Sequence, residues 1–299
     1  MAQMMFFSAR KPPRCTIEGC EHGKKISSSQ KKLSYNLVMN IQQNILLAPY
    51  TTVKIGGPAD FFVHTKNSEE FIEAIKYGQK NNLPITVLGN GSNTLISDSG
   101  IRGLVIKNDS NEIEILPENK VKVSSGTQLT YLINFTLDHN LLGLEEFAYI
   151  PSTIGGAAAG ITHGIRHPFA EYIESVEKYG DFIVSVVLKL SSGDPTLAKA
   201  EMREIIQRKV AFQSMNSLGS VFKNTPGQDP SGMIIDKNLN LKGYSIGGAQ
   251  ISPKHGNFIL NNGTATAADY LSLINLIQSQ MQAKMGFQLE LEIKLLGEF

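Results

Sequence analysis

The spacing of apolar residues changes several times in the first part of the chain, and each change predicts an element. Short β-rich runs separated by two glycines and a proline occupy residues 51–63. Apolar residues then recur at helical spacing across 71–77, behind a Ser68 cap and an acidic first turn. The runs 83–88 and 103–106 are again strand-like. The pattern therefore predicts a strand–helix–strand unit, which a further strand closes into a small α/β lobe.

Strand-like and helical spacings of apolar residues also occur in the rest of the chain, so strands and helices are mixed throughout. The predicted elements are, in order, strands within 113–124, helices at 127–139 and 196–209, two strands within 241–261 around a turn at Lys254 and His255, an amphipathic helix at 266–284 and a closing strand at 289–296.

The composition is that of an ordinary soluble globular protein. The chain of 299 residues is long enough for two or three domains, and 41% of its residues are hydrophobic and 18% charged. A formal net charge of +1 argues against nucleic acid as the main partner. No apolar run approaches the ~20 residues that a membrane span needs, so no membrane partner is expected.

Residues 1–35 differ from the remainder in charge and pattern. They hold seven Lys or Arg and two Glu, a charge of +5 that leaves −4 for the other residues. Because they lack apolar periodicity, we expect a disordered basic head, and a cleaved targeting segment is the less favoured interpretation. Cys15 and Cys20 lie here near His22, but four intervening residues and no second pair argue against a metal site. Two unpaired thiols suit a reducing cytoplasm.

The first candidate binding element is the glycine loop GNGSN at residues 89–93, between two apolar runs. A strand that breaks into a Gly-rich turn and then becomes a second strand places several backbone N–H groups around one point, as a diphosphate requires. The loop lacks the third glycine and the helix of a dinucleotide-binding fingerprint, and it lacks the Gly-Lys-Ser/Thr of a P-loop. On turn chemistry alone a plain hairpin is favoured, and the phosphate-binding interpretation stays open.

Three further features have both a purely structural and a functional interpretation. The glycine pair in IPSTIGG, at residues 150–156, allows close approach of either a ligand or another strand, and it equally suits a tight helix start. Ser220 stands in a Gly-Ser turn, where it is either a turn hydroxyl or a presented proton donor. Glu292 alternates with apolar residues in the predicted closing strand, which is typical of a solvated strand face.

Taken together, five motifs resemble one family in order and approximate spacing. They are GNGSN with LISD, IPSTIGG, LGSVFKN, LKGYSIGGAQISPKHGNFILN and LELEIKLLG. Residues 46–297 are on this basis similar to the UDP-N-acetylenolpyruvoylglucosamine reductases, also called UDP-N-acetylmuramate dehydrogenases. These are flavoenzymes of peptidoglycan precursor synthesis and cell-wall biogenesis. The short join between the second and third lobes resembles the family's second type.

The resemblance implies an α+β fold made of a vanillyl-alcohol-oxidase-like, two-lobe FAD-binding domain and an α+β substrate-binding lobe. The expected division has four parts. They are the head at 1–35, a first FAD-binding lobe at 36–107 joined by the C-terminal strand 291–297, a shortened second lobe at 108–195 and the substrate-binding lobe at 196–290.

The resemblance also implies the ligands and their sites. FAD is the expected cofactor, NADPH the co-substrate and UDP-N-acetylenolpyruvoylglucosamine the substrate. The diphosphate of FAD would meet the first loop, and the second loop would lie along the flavin. The implied cofactor-binding residues are Gly89, Asn90, Gly91, Ser92, Asn93, Pro151, Ser152, Thr153, Gly155 and Gly156. Asn224 and Lys254 are expected near the nucleotide diphosphate of the substrate.

Two residues match the family's catalytic groups. Ser220 corresponds to the donor that protonates the carbon beside the substrate carboxylate. Glu292 corresponds to the acid that assists the enol-like intermediate together with an arginine. A serine hydroxyl is a poor acid in water, so this role requires a dry, preorganised site.

The sequence departs from the family between residues 177 and 178, where further strands and a Tyr-Arg-x-Ser motif are normally present. The arginine of that motif is the usual partner of the acid at 292. Arg166 is the candidate to replace it, although an arginine before His-Pro is more often a surface residue. FAD binding is therefore expected to survive this departure more surely than turnover.

Three functions stay open on the sequence. The first is the reductase itself, an oxidoreductase expected to be cytoplasmic and monomeric, with activity either intact or impaired by the missing Tyr-Arg motif. The second is a paralogue that binds FAD and the UDP-sugar with impaired or no turnover. The third is a flavin oxidase of the same fold, for which His163 and His167 near the second loop offer attachment sites for the flavin.

Overall fold

A computed structural model describes residues 39–160, 162, 164–212 and 216–299. The predicted head at 1–35, with its two cysteines, and His163 lie outside the described residues. Three lobes can be distinguished by their sheets and hydrophobic cores.

The first lobe contains the predicted strand–helix–strand unit. Its elements are β1 (Gln42–Leu46), β2 (Pro58–Thr65), α1 (Ser68–Lys80), β3 (Ile85–Leu88), β4 (Thr94–Ile96) and β5 (Ile101–Asn108). The main sheet has the order β1-β2-β5-β3, with β1 antiparallel to β2 and the other pairs parallel. The cap of α1 is Asn67 and not the predicted Ser68, because the Asn67 side-chain oxygen accepts the backbone N–H of Glu70 at 2.8 Å. Phe71 and Ile75 bury the apolar face of the helix in the lobe's core.

The second lobe is built on an antiparallel sheet. Its elements are β6 (Ile113–Leu116), β7 (Lys120–Ser124), α2 (Leu129–Asp138), β8 (Leu141–Leu142), α3 (Ile154–Ala159), β9 (Ile173–Tyr179), β10 (Phe182–Lys189), β11 (Ser191–Ser192) and α4 (Pro195–Phe212). The sheet order is β6-β7-β10-β9. The predicted departure from the family would fall in β9, and a tight hairpin joins β9 to β10, with Tyr179 opposite Phe182 and Gly180 at φ +60°.

Helix α4 differs in its packing from the predicted division of the chain. The expected boundary after residue 195 assigns this helix to the substrate lobe. In the structure, Ala198, Met202 and Ile206 pack against the core of the second lobe. The second lobe of the structure thus extends through α4.

The third lobe combines a four-stranded antiparallel sheet with a long helix. Its elements are β12 (Ser217–Ser220), α5 (Ser231–Lys237), β13 (Ser245–Ile246), β14 (Ala249–Ile251), β15 (Phe258–Asn261) and α6 (Ala267–Met285). The sheet order is β12-β15-β14-β13, and β14 and β15 are the two strands predicted around the Lys254 turn. Helix α6 buries Leu273, Ile274 and Ile277 in the core of this lobe.

The part of the first lobe around β4 helps to attach the third lobe, through a strand pairing and through a carboxylate that follows the strand. The last strand, β16 (Lys294–Leu296), pairs in parallel with β4, so the predicted closing strand is regular only over its last part. Asp98, which follows β4, accepts the backbone N–H groups of Ala267 at 2.8 Å and Ala268 at 3.0 Å. The start of α6 is therefore held by a carboxylate of the first lobe as well as by its own Thr266 capping box.

The part of the chain that the structure describes contains no helix long and apolar enough to cross a membrane. Those same residues contain no group of His, Cys, Asp or Glu side chains with the arrangement of a metal site.

Candidate active site

The first glycine loop, residues 89–93, connects β3 to β4. Gly91 has φ +57°, a conformation that favours glycine. A Cβ at this position would lie 2.8 Å from the Tyr50 carbonyl oxygen and 2.9 Å from the Thr51 Cα. The Gly91 carbonyl also accepts the N–H of Thr52 at 3.3 Å. Glycine is thus required at position 91 by the packing of the loop on residues 50–52, whether or not a ligand approaches.

The backbone amides of this loop supply the test of whether it suits an anion. Among the described residues, no hydrogen bond is donated by the backbone N–H of Asn90, Gly91, Ser92 or Asn93. Consecutive amides without a partner in the described chain, around a glycine at positive φ, are the donors that an anion-binding concavity uses. The loop therefore fits the diphosphate of a dinucleotide such as FAD.

The second glycine loop, residues 151–156, leads into α3 and is built differently. Its amides are used within the protein: Ser152 donates to Ile150, Gly155 to Ser125 at 2.7 Å, and Gly156 to the Thr153 hydroxyl at 3.3 Å. The helix start that the sequence allowed as one interpretation is present, with Thr153 as its N-cap. This loop can offer a surface to a flavin, but the donors just named are not free for a phosphate.

A pair of amide side chains joins the two loops. Asn90 Nδ2–H donates to Gln128 Oε1 at 2.6 Å, and Gln128 Nε2–H donates back to Asn90 Oδ1 at 2.7 Å. Asn90 also donates to the Pro151 carbonyl at 3.1 Å. A Cβ on Gly89 would lie 2.6 Å from the Thr153 hydroxyl oxygen, so the loops are in direct contact. Gln128 did not emerge from the sequence, because a partner 38 residues away leaves no local pattern.

Ser220 and Glu292 are brought together by the main chain. Ser220 is the last residue of β12, lies opposite Phe258 and is half-buried. The next residue, Val221, accepts the backbone N–H of Glu292 at 2.8 Å. Glu292 is in turn held by the first glycine loop, because Asn93 Nδ2–H donates to its carbonyl at 3.1 Å. The predicted proton donor, acid and cofactor loop therefore meet at one junction.

Asn257 supports this junction and did not emerge from the sequence either. It is buried, its side-chain oxygen accepts the N–H of Phe222 at 2.9 Å, and its Nδ2–H donates to the Phe222 carbonyl at 2.7 Å. Its own carbonyl accepts the N–H of Val221 at 2.9 Å. Three hydrogen bonds from one residue thus fix the main chain directly after Ser220.

The predicted substrate residues both lie on the surface of the third lobe. Asn224 is exposed, and its side-chain oxygen accepts the N–H of Ser231, the first residue of α5, at 3.0 Å. Lys254 is exposed in the turn between β14 and β15. Beside it, burial lowers the pKa of His255, and the charges of Lys209 and Lys242 lower it further. This turn therefore presents the Lys254 ammonium group beside a histidine that favours its neutral form.

Arg166 lies in the second lobe, away from the contacts just described. Its guanidinium pairs with Glu201 of α4 at 2.9 Å, and its backbone N–H donates to Glu146 at 2.5 Å. Its side chain is 55% exposed. In the described part of the chain, none of these contacts reaches Ser220 or Glu292. His167, the second of the proposed flavin-attachment histidines, pairs with Glu171 at 2.9 Å on the surface of the same lobe.

Comparison with known proteins agrees with this arrangement. The family model described as UDP-N-acetylenolpyruvoylglucosamine reductase, C-terminal domain, matches residues 210–296, and an FAD binding domain model matches residues 59–181. A UDP-N-acetylenolpyruvoylglucosamine reductase of Caldanaerobacter subterraneus subsp. tengcongensis is 36% identical, over 83% of this chain and 91% of its own. One of Listeria welshimeri is 35% identical, over 87% and 96%.

A solved structure gives the same result for the fold. The crystal structure of UDP-N-acetylenolpyruvylglucosamine reductase from Thermus caldophilus aligns with a TM-score of 0.74 and 31% identity, over 87% of this chain and all of that one. The predicted α+β fold with a two-lobe FAD-binding domain is thereby confirmed. With relatives more than 30% identical over most of its length, the chain belongs to the UDP-N-acetylenolpyruvoylglucosamine reductase family.

Proposed function

We propose that the protein reduces UDP-N-acetylenolpyruvoylglucosamine to UDP-N-acetylmuramate with NADPH and FAD, a step in peptidoglycan precursor synthesis. The observation that carries the proposal is the junction at which Ser220, Glu292 and the first glycine loop are joined by main-chain hydrogen bonds. Such a junction suits a reaction in which a bound cofactor, an acid and a proton donor act on one small group of atoms. We further propose that the enzyme acts as a cytoplasmic monomer without nucleic-acid or membrane partners.

FAD would be held by the first glycine loop through the unpaired amides of Asn90, Gly91, Ser92 and Asn93. The Gln128 bridge fixes this loop against the second loop, so the surface formed by Pro151, Ser152, Thr153, Gly155 and Gly156 has a defined position beside it. When bound, FAD would accept hydride from NADPH and deliver it to the alkene of the substrate.

Side chains of the protein are proposed to stabilise the charge of the intermediate and to supply the proton. Ser220 is proposed to protonate the carbon beside the carboxylate, which requires a hydroxyl held in one place. The pairing with Phe258 and the Asn257 hydrogen bonds provide that fixed backbone. Glu292 is proposed to assist the enol-like intermediate. Lys254 would act as a point charge, and Asn224 as a neighbouring polar group, near the nucleotide diphosphate.

A second candidate function is a protein that binds FAD and the UDP-sugar with impaired turnover. The observation that favours it is the tight turn between β9 and β10, directly after the departure from the family, where Gly180 and Asp181 are the whole connection between the strands. The Tyr-Arg-x-Ser segment has no counterpart there, and the proposed substitute Arg166 would have to leave Glu201 to act.

An anaerobic half-reaction experiment separates these functions. NADPH should bleach the flavin of the purified holoprotein, and the enolpyruvyl substrate should restore its colour. Ser220→Ala should keep the first step and slow the second by about 10²–10⁴-fold, the usual contribution of a positioned general acid. Ser272→Ala, which removes an exposed hydroxyl that donates to Ala268 in α6, is the matched control.

The other outcomes identify the alternatives. Bleaching by NADPH without recovery on adding substrate would support the impaired paralogue. A flavin that NADPH does not reduce, but that oxygen reoxidises after reduction by another donor, would support an oxidase. Equal rates of substrate reduction in Ser220→Ala and the parent would exclude Ser220 as the proton donor.

A further inference from the structure

The segment 290–296, here called the closing segment, changes partners at Glu292. On its first part the Glu290 carbonyl accepts the N–H of Lys223 at 2.9 Å, and Glu292 donates to Val221 at 2.8 Å, so it extends the strand pairing of the substrate lobe. From Lys294 onward it pairs in parallel with β4 of the first FAD-binding lobe. The proposed acid therefore stands at the point where the chain crosses from one lobe to the other.

Asn93 holds the closing segment on both sides of this crossing. Its Nδ2–H donates to the Glu292 carbonyl at 3.1 Å, and its own carbonyl accepts the N–H of Lys294 at 2.9 Å. Between these two contacts Ile293 is buried, with 4% of its surface exposed. Glu292 is exposed, so its side chain lies on the solvent side of the segment, while Ile293 packs in the core of the third lobe.

The peptide groups flanking the acid are thus fixed from two lobes. The N–H of Glu292 is bound by Val221, which follows the proposed proton donor, and its carbonyl is bound by Asn93. The backbone N–H of Asn93 is one of the unpaired amides assigned to the FAD diphosphate. One residue therefore contacts the cofactor site through its main chain and the acid's peptide through its side chain.

We propose that Asn93 is a positioning residue that sets the distance between the FAD loop and Glu292, an inference that rests on the proposed function. The Asn93 side chain makes no contribution to the reduction of flavin by NADPH. It acts in the second half-reaction, where the acid must stand at a defined place beside the substrate. Misplacement of a catalytic group by about 1 Å can cost about 10²-fold in rate.

The test compares Asn93→Ala and Asn93→Asp with the parent holoenzyme. Both variants lose the donor to Glu292 and keep the backbone amide. Flavin reduction by NADPH should stay within about twofold of the parent, and reoxidation by the enolpyruvyl substrate should slow by about 10–100-fold. Asn134→Asp is the matched control, because its Nδ2–H donates to the Thr130 carbonyl at 2.9 Å on an exposed face of α2.

A second variant shows whether Asn93 acts through the acid. If it does, Asn93→Ala combined with Glu292→Gln should be no slower than Glu292→Gln alone, since the group being positioned is already disabled. Effects that multiply in the double variant would overturn the proposal. Loss of FAD, or equal slowing of both half-reactions, in the single variants would also overturn it, by assigning Asn93 to cofactor binding only.

Hydrogen exchange supplies a readout that does not depend on activity. In Asn93→Ala, amide exchange in peptides covering 290–294 should accelerate several-fold, while the rest of the described chain exchanges as in the parent. Unchanged exchange in this segment would refute the proposal even if turnover fell. If the parent itself is not reoxidised by substrate, the proposed function fails, and the exchange measurement alone decides whether Asn93 holds the acid's peptide.

Discussion

The role of Gly91 can be tested quantitatively, because the chain contains a second glycine with the same backbone conformation and different surroundings. Gly91 has φ +57° and Gly180 has φ +60°. A Cβ on Gly91 would lie 2.8 Å from the Tyr50 carbonyl oxygen, whereas the nearest atom to a Cβ on Gly180 is Gln79 Nε2 at 3.9 Å. The substitutions Gly91→Ala and Gly180→Ala thus share the conformational cost and differ in the steric contact.

The expected free energies follow from these two terms. The left-handed conformation costs a residue with a Cβ about 1–2 kcal/mol, and this applies to both variants. Crowding against backbone atoms adds about 1–3 kcal/mol for Gly91→Ala alone. The Tyr50–Thr52 backbone must then move, which weakens the 3.3 Å hydrogen bond from Thr52 to Gly91. We therefore expect a loss of unfolding free energy of about 2–5 kcal/mol for Gly91→Ala and about 1–2 kcal/mol for Gly180→Ala.

Urea unfolding gives the stabilities, and titration of the apoprotein with FAD gives the affinities. Movement of the loop amides should also weaken FAD binding in Gly91→Ala. The affinity falls about tenfold for each 1.4 kcal/mol of binding free energy lost at the diphosphate. Gly180→Ala should bind FAD as the parent does. Equal losses of stability in the two variants, or full FAD affinity in Gly91→Ala, would refute the assignment of the loop.

Three further substitutions test other parts of the structure. Arg166→Ala should change the unfolding free energy by less than about 1 kcal/mol, as for exposed ion pairs, and should leave turnover unchanged if pairing with Glu201 is the role of Arg166. A fall in turnover of about 10²-fold or more would instead identify Arg166 as the missing electrophile. Tyr270→Phe should stabilise the fold by about 1 kcal/mol, because the Tyr270 hydroxyl is buried and has no hydrogen-bond partner in the described chain, and a destabilised variant would contradict this. Since burial lowers the pKa of His255, the unfolded state binds a proton on this side chain more readily, so the unfolding free energy should fall as the pH drops below 6.5. His255→Asn should flatten that pH dependence, and an unchanged profile would contradict the lowered pKa of His255.

The sequence predicted most elements and the position of both glycine loops, because these depend on local patterns. Helices α1, α2 and α6 follow apolar periodicity, and β3 and β4 flank a loop of turn-forming residues. The sequence placed Gly91 in a ligand-binding loop, but it did not predict that the close neighbours of this glycine are residues 50–52 of the protein itself.

What the sequence did not predict depends on partners distant in the chain. The Gln128 bridge spans 38 residues, and the Asn257 contacts with Phe222 span 35. The apolar face of α4 is compatible with either lobe, and only the assembled core shows which lobe it joins. The predicted closing strand is regular only at Lys294–Leu296, because the chain changes partners at Glu292. The alternation of apolar and polar residues continues through this point and so does not indicate the change.

The predicted departure from the family between residues 177 and 178 would affect the two halves of the proposed reaction unequally. The junction is built from the first glycine loop, the end of β12 and the closing segment, and none of its described hydrogen bonds involves β9 or β10. The amides assigned to FAD and the backbone around Ser220 and Glu292 can therefore form without the missing Tyr-Arg segment. If Arg166 does not replace the predicted arginine, the enol-like intermediate lacks one stabilising donor, and loss of such a donor costs about 10²–10³-fold in rate. Because that charge arises only after hydride reaches the substrate, we expect the whole penalty to fall on the second half-reaction, with flavin reduction by NADPH at its normal rate.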